Sequence, residues 1–307
     1  MTHSVATGND RTQLERLIAE LRPKLHRYVA RMTGSVIDGE DVVQEALIKA
    51  IEAVRRDEAV DQPEAWVFRI AHNAAIDFLR RRARHDAAHA EEEMETMVDP
   101  QPTPEEQLAA TSSLRTFAQL PIVQRSAVIL KDVLGYSIEE TGEIIAATVP
   151  AVKAALHRGR ERLRELSDEP EDHSPPAISP QERSRLAVYA DRFNARDFDA
   201  VRDMLAEDVR LELVSRTRLR GAEVQTYFGN YSAVHDWRFV PGLVEQRAAL
   251  LVFDPNEPQA SPSYFVLLEW AGDKLAAIRD FRHARYAVEG AEMVEAWPST
   301  ISAKLGR

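Results

Sequence analysis

The sequence predicts a multidomain chain in which two all-α parts, a helical bundle and a helix-turn-helix, are followed by an α+β part. Three observations predict this fold class. Apolar residues recur at helical spacing in the first half, apolar and polar residues alternate after Asp208, and prolines cluster in two stretches between these regions. The predicted parts are 11–85, 105–166 and 181–307, joined by linkers at 86–104 and 167–180.

Composition excludes several classes of protein. The 307 residues contain no Cys, so disulfides, thiol nucleophiles and Cys-ligated zinc are excluded. The polar N-terminus and the lack of a long apolar run predict a cytoplasmic protein without a membrane segment. No metal-ligand spacing, Gly-rich phosphate loop or G-x-S-x-G motif occurs, so we expect no metal, no cofactor and no catalytic residue.

The charge distribution differs from its average. The net charge of −11 argues against nucleic-acid binding. However, residues 86–113 hold eight acids and no Lys or Arg, whereas 69–84 and 153–164 are basic. Because salt confines each charge to about 10 Å, such local patches determine the attraction for phosphate. The alternative interpretation is that each basic run is only a solvated helix face.

The first part reads as three helices. Apolar residues at helical spacing mark the first, with a kink expected at Pro23 and an end at Gly34. A second stripe runs over 42–54, and its opposite face is acidic. The third helix is predicted from about Trp66 to Arg82.

The second part reads as four short helices. The first is expected at about 105–117, and Pro121 begins the second. Ser137 and Glu140 form a predicted capping box for a helix at about 138–146, and Thr148 caps the last, which runs to about Leu166. Two short helices, a tight turn and a basic final helix indicate a helix-turn-helix.

The third part changes period. Helices are predicted near 186–193, at Asp197–Ala206 and at Gly221–Tyr231, and the rest is strand-like. The strand-like segments are 209–213, Trp237–Val240, Ala248–Phe253, Tyr264–Trp270 and Leu275–Phe281. We expect a curled antiparallel sheet, with a long hairpin loop at Asp254–Pro262.

Several segments resemble a known family. "GEDVVQEALIKAIEAV" and "EAWVFRIAHNAAIDFLRRR" resemble region two of bacterial sigma factors, and "LPIVQRSAVILKDVLGYSIEETGEIIAATVPAVKAALHRGRERLREL" resembles region four. With nothing recognisable between them, the layout resembles the extracytoplasmic-function (ECF) class. The tail, "YADRFNARDFDAVRDMLAEDVRLEL" with later "RGAEVQTYF" and "IRDFR", resembles SnoaL-like domains, which share the cone-shaped α+β fold of nuclear transport factor 2.

The resemblance implies a subunit that binds RNA polymerase core and directs promoter-specific initiation, with the tail regulating it in cis through an intramolecular contact. The implied partners are the β′ clamp helices, the β flap and the −10 and −35 promoter elements. The residues implied to bind core polymerase are Asp38, Glu40, Asp41, Gln44 and Glu45.

The resemblance also implies two DNA-binding helices. On the third helix of region two, Asn73 and Trp66 would meet extruded bases of the −10 element. Phosphates would be held by Arg69, Arg80, Arg81, Arg82 and Arg84. On the last helix of region four, Lys153, His157 and Arg158 would read the −35 element, and Arg160 would contact phosphate. Ala146, Ala154 and Ala155 depart from the usual residues, and a small apolar side chain offers a base only methyl contacts.

One alternative stays open at this point, an isomerase- or cyclase-type enzyme with a helical DNA-binding front half. Cone folds can host proton abstraction by an acid and a tyrosine. The tail residues that could supply such groups are Tyr189, Asp191, Tyr227, His235, Asp280 and His283. A ligand-sensing pocket is a third reading, since a fold alone does not fix function.

Overall fold

The computed structural model describes residues 15–56, 62–86, 113–167, 178–257 and 260–295. The chain divides into two compact units, Met1–Asp172 and His173–Arg307. Most of both predicted linkers, and residues 105–112 of the helix predicted at about 105–117, lie outside the described residues.

The described part of the first unit is entirely helical. Helical residues 15–20 precede α1, and Pro23 lies in the first turn of α1. The kink expected at Pro23 stays a prediction. Gly34 ends α1 with φ 76°, a left-handed conformation that suits glycine. The helices are α1 Arg22–Thr33, α2 Val36–Arg55, α3 Pro63–Asp86, α4 Leu114–Ala118, α5 Ile122–Val128, α6 Ile138–Ile145 and α7 Val149–Ser167, with a π-helical turn Ile129–Val133 after α5.

Local interactions fix both ends of α6. Ser137 Oγ accepts from the backbone N–H of Glu140 at 3.1 Å, and the Glu140 carboxylate accepts from the backbone N–H of Ser137 at 2.8 Å, so the capping box is confirmed. Ala146 ends α6 with φ 55°. A left-handed conformation costs a residue with a Cβ about 1–2 kcal/mol, so this turn stores strain.

The two helical parts share one hydrophobic core, which extends from Ile18 to Leu166. Close helix contacts depend on two glycines. A Cβ on Gly39 would lie 2.8 Å from Ala30 Cα, and one on Gly159 would lie 2.7 Å from Val128 Cγ2. Since real Cβ atoms do not approach so closely, α1 and α2 pack together through Gly39, and α5 and α7 through Gly159.

The second unit is α+β, which confirms the predicted fold class. Among the described residues its seven strands form one sheet in the order β2-β1-β6-β5-β4-β3-β7. Its helices are α8 Pro180–Asn194, α9 Phe198–Arg202 and α10 Gln225–Ser232. Its strands are β1 Leu205–Leu213, β2 Thr217–Arg220, β3 Arg238–Val244, β4 Arg247–Phe253, β5 Tyr264–Ala271, β6 Lys274–Asp280 and β7 Met293–Glu295.

Three predictions for this unit were wrong in detail. The sheet is mixed, because β1 pairs with β6 in parallel, a pairing between segments far apart in sequence that local patterns do not reveal. The helix predicted at Asp197–Ala206 ends at Arg202, because the chain has entered β1 by Leu205. Two short strands, β2 and β7, carry too few residues to show an alternation and were not predicted.

An aromatic cluster fills the space between the helices and the sheet. The ring of Phe193 on α8 stacks on Phe239 of β3 at 4.3 Å between centroids. It also meets Tyr231 and Trp237 edge-on at 5.1 and 5.3 Å. Offset stacks and edge-on contacts are favourable aromatic geometries, so this ring helps to anchor α8 to the sheet, together with the hydrogen bonds between Asn194 and the backbone of Phe239.

Candidate nucleic-acid and polymerase interface

The acidic face predicted on α2 begins at the capped N-terminus of this helix. Ser35 accepts a hydrogen bond from the backbone N–H of Asp38 at 3.0 Å, which fixes the first turn of α2. Asp41 is exposed, and the side chain of Glu45 keeps 39% of its surface exposed. The hydrogen bond from Lys49 is the main cause that lowers the pKa of Glu45, so this carboxylate stays charged.

Glu40 does not lie on that face. Its carboxylate is fully buried, and Arg22 Nε donates to it at 3.1 Å with a second donation from the guanidinium. Glu40 shares a helical stripe with the buried residues Val36, Val43 and Leu47. A carboxylate placed this way supports the packing of α1 on α2 and does not offer a partner a contact in this arrangement.

The polar face predicted on α3 is exposed along the helix. Arg69, Asn73 and Arg80 all lie on the surface. Trp66 is half-buried and packs against the core of the unit. Cations that follow a helix beside an exposed amide are the groups that a melted strand requires, because the charges follow its backbone while the amide meets a base.

The acidic face of α2 and the basic end of α3 lie against each other. Arg81 approaches Glu45 at 3.5 Å, and Arg82 approaches Asp38 at 3.7 Å. All four side chains are partly exposed, and such surface pairs contribute only about 0–1 kcal/mol. The residues expected to bind polymerase and those expected to bind phosphate therefore form one continuous charged surface.

The helix α7 presents only some of its predicted DNA-reading residues. Lys153 is exposed, whereas His157 and Arg158 are half-buried. Ala154 is exposed and Ala155 is buried, so Ala155 belongs to the core of the unit.

Arg160 is held within the protein. Its guanidinium donates to both oxygens of Asp132 at 2.9 and 2.7 Å, and the Asp132 side chain is fully buried. A bidentate pair of this kind fixes the arginine in one geometry. Arg160 therefore links α7 to the π-helical turn after α5, and its contact with DNA phosphate stays a prediction.

One buried arginine joins the two helical parts. Arg125 on α5 donates to the carbonyl oxygens of Met32, Ala118 and Leu120, the last at 2.8 Å. Burial lowers the pKa of Arg125 to about 10, so it stays charged at neutral pH. Hydrogen bonds of a buried cation to three carbonyls tie α5 to the end of α1, since Met32 belongs to the first helical part.

A second junction involves three polar side chains. Glu64 accepts from Lys24 at 2.6 Å and from the Tyr136 hydroxyl at 2.5 Å, and Lys24 Nζ lies 4.1 Å from the centre of the Tyr136 ring. Burial acts to raise the pKa of Glu64, but the hydrogen bonds from Lys24 and Tyr136 lower it overall. These residues line a cavity of about 390 Å³, which also receives Glu140. The junction connects α1 and α3 with the loop before α6.

The second unit has a polar cluster of its own. Asp280 is fully buried and accepts from the hydroxyls of Tyr231 and Tyr227 at 2.7 and 3.0 Å and from the backbone N–H of Arg282 at 2.8 Å. The hydroxyl of Tyr264 lies 3.1 Å from that of Tyr231. Burial raises the pKa of Asp280 above its ordinary value.

Of the six tail residues named for a catalytic alternative, the structure brings only some together. Tyr227 contacts Asp280, and Tyr189 is buried near it. Asp191, His235 and His283 are exposed. Sequence reasoning missed Tyr231 and Tyr264, although both occupy apolar positions of the predicted α10 and β5. Among the described residues no group of three or more His, Asp or Glu side chains could hold a metal ion.

Family models match both helical parts. The model for sigma-70 region 2 matches residues 17–85, and the model for sigma-70 region 4 matches residues 114–163. These matches coincide with the exposed basic helices α3 and α7 described above. The class of protein that the fold and these surfaces define is therefore that of sigma-70-type transcription factors.

Similar proteins identify the family to which the chain belongs within this class. The chain is 32% identical over 155 residues to the RNA polymerase sigma factor CarQ of Myxococcus xanthus, covering 50% of this chain and 89% of CarQ. It is 31% identical over 159 residues to the ECF RNA polymerase sigma factor SigE of Mycolicibacterium smegmatis, covering 49% of this chain and 60% of SigE. The chain belongs to the ECF RNA polymerase sigma factor family, and the enzyme alternative is not favoured.

A solved structure also resembles part of the chain. The epoxide hydrolase/cyclase-like enzyme SalBIII is 19% identical and aligns with 32% of this chain and 88% of its own, with a TM-score of 0.25.

Proposed function

We propose that this chain binds the core RNA polymerase through the exposed carboxylates of α2 and carries it to promoters that α3 and α7 recognise. The observation that supports this most is the single charged surface formed by α2 and α3. In this proposal Asp38, Asp41, Gln44 and Glu45 contact the polymerase clamp, while Glu40 positions α2 from inside. In this proposal the protein acts in the cytoplasm. The polymerase core performs all the chemistry, and this chain supplies no active site.

Recognition of DNA is divided between two helices. Asn73 and Trp66 bind unstacked bases of the −10 element, while the arginines of α3 hold the melted strand. Lys153, His157 and Arg158 of α7 contact the −35 element, and Arg160 orients α7 through Asp132. The β flap of the polymerase is the expected partner of the region four part.

Promoter binding by both helices requires the first unit to open. The two elements lie 25 base pairs apart, which is about 85 Å of duplex. A compact unit of 172 residues has a radius of gyration of about 16 Å, hence a diameter of about 40 Å. The closed arrangement therefore cannot place α3 and α7 on both elements at once. Opening must break the junctions made by Arg125 and by Lys24, Glu64 and Tyr136.

The second unit is proposed to regulate the sigma factor in cis. A unit that favours the closed arrangement inhibits transcription, and one that favours the open arrangement activates it. Comparison of the full chain with a 1–172 fragment on one promoter, at equal polymerase concentration, tests this. We expect run-off transcripts to differ several-fold, and equal output would contradict regulation in cis.

Two matched variants test the surfaces. Asn73→Ala should impair promoter opening, measured by permanganate reactivity, while leaving core binding intact. Asp41→Lys with Glu45→Lys should instead weaken pulldown of core polymerase, because it inverts the charge of the clamp-facing side. Glu52→Lys, on an exposed position of the same helix, is the control for a charge reversal away from the clamp-facing side. If both test variants lose core binding equally, the division of roles between α2 and α3 is wrong.

Opening can be measured directly because the chain has no Cys. Cysteines introduced at the exposed positions Ala83 on α3 and Ala151 on α7 accept a fluorescent pair without background labelling. Energy transfer should fall when core polymerase and promoter DNA are added. Unchanged transfer in an active complex would contradict the opening step.

A further inference from the structure

One face of the sheet in the second unit carries two rows of charged residues. The register of β2, β1, β6 and β5 sets these rows across the strands. The first row is Arg218, Glu212 and Arg279, and the second is Arg220, Arg210, Ala277 and Glu269. A groove of about 260 Å³ is lined by both rows. It therefore contains four arginines and two carboxylates.

The first row is fixed internally by one carboxylate between two arginines. Glu212 accepts from Arg218 Nε at 3.1 Å and from Arg279 Nε at 3.0 Å. The side chains of Glu212 and Arg279 are only 15% and 16% exposed. This row is a rigid wall of the groove, because its central carboxylate is clamped between two guanidinium groups.

The second row places like charges opposite each other. Arg210 and Arg220 are direct partners in the antiparallel β1–β2 pair, and like charges in that position destabilise a sheet. The nearest carboxylate, Glu269, approaches Arg210 only to 3.7 Å, longer than a hydrogen bond. Among the described residues Arg220 has no ion pair. The next position in the row is Ala277, whose small side chain follows Arg210 across the strands and lines the same groove.

An anion placed in the groove against Arg210 and Arg220 would relieve this repulsion. Guanidinium groups match the geometry of phosphate oxygens and bind them through paired hydrogen bonds. We propose that this groove binds a small phosphate-bearing ligand of about the size of a mononucleotide between Arg210 and Arg220. This proposal does not depend on the proposed function of the helical unit.

A small ligand fits the charge of the unit better than a nucleic acid does. The second unit, residues 173–307, contains 19 acids and 17 bases, so its net charge of −2 gives a polyanion no overall attraction. A small anion within the groove responds mainly to the charges within about 10 Å, where the arginines outnumber the carboxylates. DNA binding at the same groove is therefore an outcome that the experiment must distinguish.

The experiment titrates the full chain with inorganic phosphate, pyrophosphate and AMP by calorimetry, with adenosine as the ligand that lacks phosphate. At least one phosphate compound should bind and adenosine should not. Arg210→Gln and Arg220→Gln should each weaken this binding about tenfold, because each removes a charge-assisted pair. Arg183→Gln, an exposed arginine of α8, is the matched control and should bind normally. Equal affinity in all variants, or no binding of any phosphate compound, would overturn the proposal. Loss of affinity for a short DNA duplex without loss for AMP would identify a DNA-backbone site and also overturn it.

Thermal unfolding without ligand supplies a second readout. Arg220→Gln should unfold at the same or a higher temperature than the wild type, because it removes like-charge repulsion. Arg218→Gln should unfold at a lower temperature, because it takes a donor from Glu212. If Arg220→Gln lowers the unfolding temperature as much as Arg218→Gln does, Arg220 has a structural role and the groove is not a ligand site.

Discussion

Glu40 in the helical unit and Asp280 in the α+β unit are both completely buried, and the two side chains are accommodated by different chemistry. In the helical unit Glu40 lies beside the guanidinium of Arg22, so a buried charge is compensated by an opposite charge. In the α+β unit Asp280 is surrounded by phenol hydroxyls and a backbone N–H. Burial raises the pKa of Asp280, so this site favours the neutral acid. The comparison teaches that the same desolvation cost can be met by an ion pair or by favouring protonation.

One buried group in each unit, His72 in the helical unit and Asp280 in the α+β unit, contributes to the pH dependence of stability, and the two contributions have opposite signs. In the helical unit burial lowers the pKa of His72 to about 4, and its ring is hydrogen-bonded to Tyr28 at 2.7 Å. The unfolded chain binds protons first as pH falls below 6.5, so stability is lost in acid. In the α+β unit the raised pKa of Asp280 has the reverse sign. Its contribution is complete below the unfolded pKa and is lost as pH rises toward the folded pKa.

The largest expected effect comes from Glu40→Gln. The amide keeps the size of the side chain but removes the buried negative charge that pairs with Arg22, so the helical unit should lose about 3 kcal/mol of unfolding free energy. Hydrogen exchange of α1 and α2 peptides, followed by mass spectrometry, measures this unit separately. Glu45→Gln is the control, since its carboxylate is exposed and its pair with Lys49 contributes less than about 1 kcal/mol. Equal protection in the two variants would mean that Glu40 is not a buried ion-pair member.

The next effect concerns acid stability of the helical unit. In the wild type, stability should fall by about 2–3 kcal/mol between pH 6.5 and pH 4 because of His72 alone. His72→Gln removes the titrating group, so its denaturation midpoint should vary less over this range. The measurement is denaturant unfolding of both proteins at several pH values. Parallel curves for the two proteins would show that other groups cause the acid response.

A smaller change in stability is expected from relieving backbone strain at one residue in each unit. Ala146 in the helical unit and Gln246 in the β3–β4 hairpin both have positive φ, at 55° and 65°. Ala146→Gly should stabilise the helical unit by about 0.5–1 kcal/mol, because the relief of left-handed strain exceeds the entropy that glycine loses. Gln246→Gly is the matching change in the α+β unit. A decrease in the melting temperature of Ala146→Gly would contradict this account of the turn.

The smallest effect is expected for Asp280→Asn. Because burial raises the pKa of Asp280, low pH favours its neutral form. An amide oxygen can accept the same phenol hydrogen bonds, so near pH 4 the two proteins should be almost equally stable. As pH rises, the wild type should lose stability relative to the variant, because its unfolded state ionises first. Exchange protection of β6 and α10 peptides at pH 4 and pH 8 measures this. A variant that is much weaker at both pH values would show that Asp280 is charged in the folded protein.

Local features of the fold were predictable from the sequence. The capping box at Ser137 and Glu140, the helix stop at Gly34 and the exposed polar face of α3 depend on residues within a few positions of each other. The burial of Glu40 was also present in the pattern, because it lies four residues after Val36 and three before Val43 on one helical stripe. The acidic neighbours Asp38 and Asp41 concealed it within an apparently continuous charged face.

Features that join distant segments were not predictable. The parallel pairing of β1 with β6 and the junction between Met32 and Arg125 connect residues that no local period relates. The cluster around Asp280 forms for the same reason, since Tyr227 and Tyr231 approach it from α10 while Tyr264 lies on β5. Two proline-rich linkers suggested separate helical parts, yet a shared core places both parts in one unit. The composition of a linker determines how stiff it is, but it does not indicate whether the two parts that it joins pack against each other.

The contact of Arg125 has a consequence for how this sequence can change over evolution. Its acceptors are main-chain oxygens of Met32, Ala118 and Leu120, which any residue would supply. Side chains at these acceptor positions can therefore drift without loss of the donor's partners, provided the backbone keeps its course. The mutational constraint therefore falls on Arg125 itself. A single substitution of Arg125 would loosen the link between the two helical parts, although no acceptor residue would have changed.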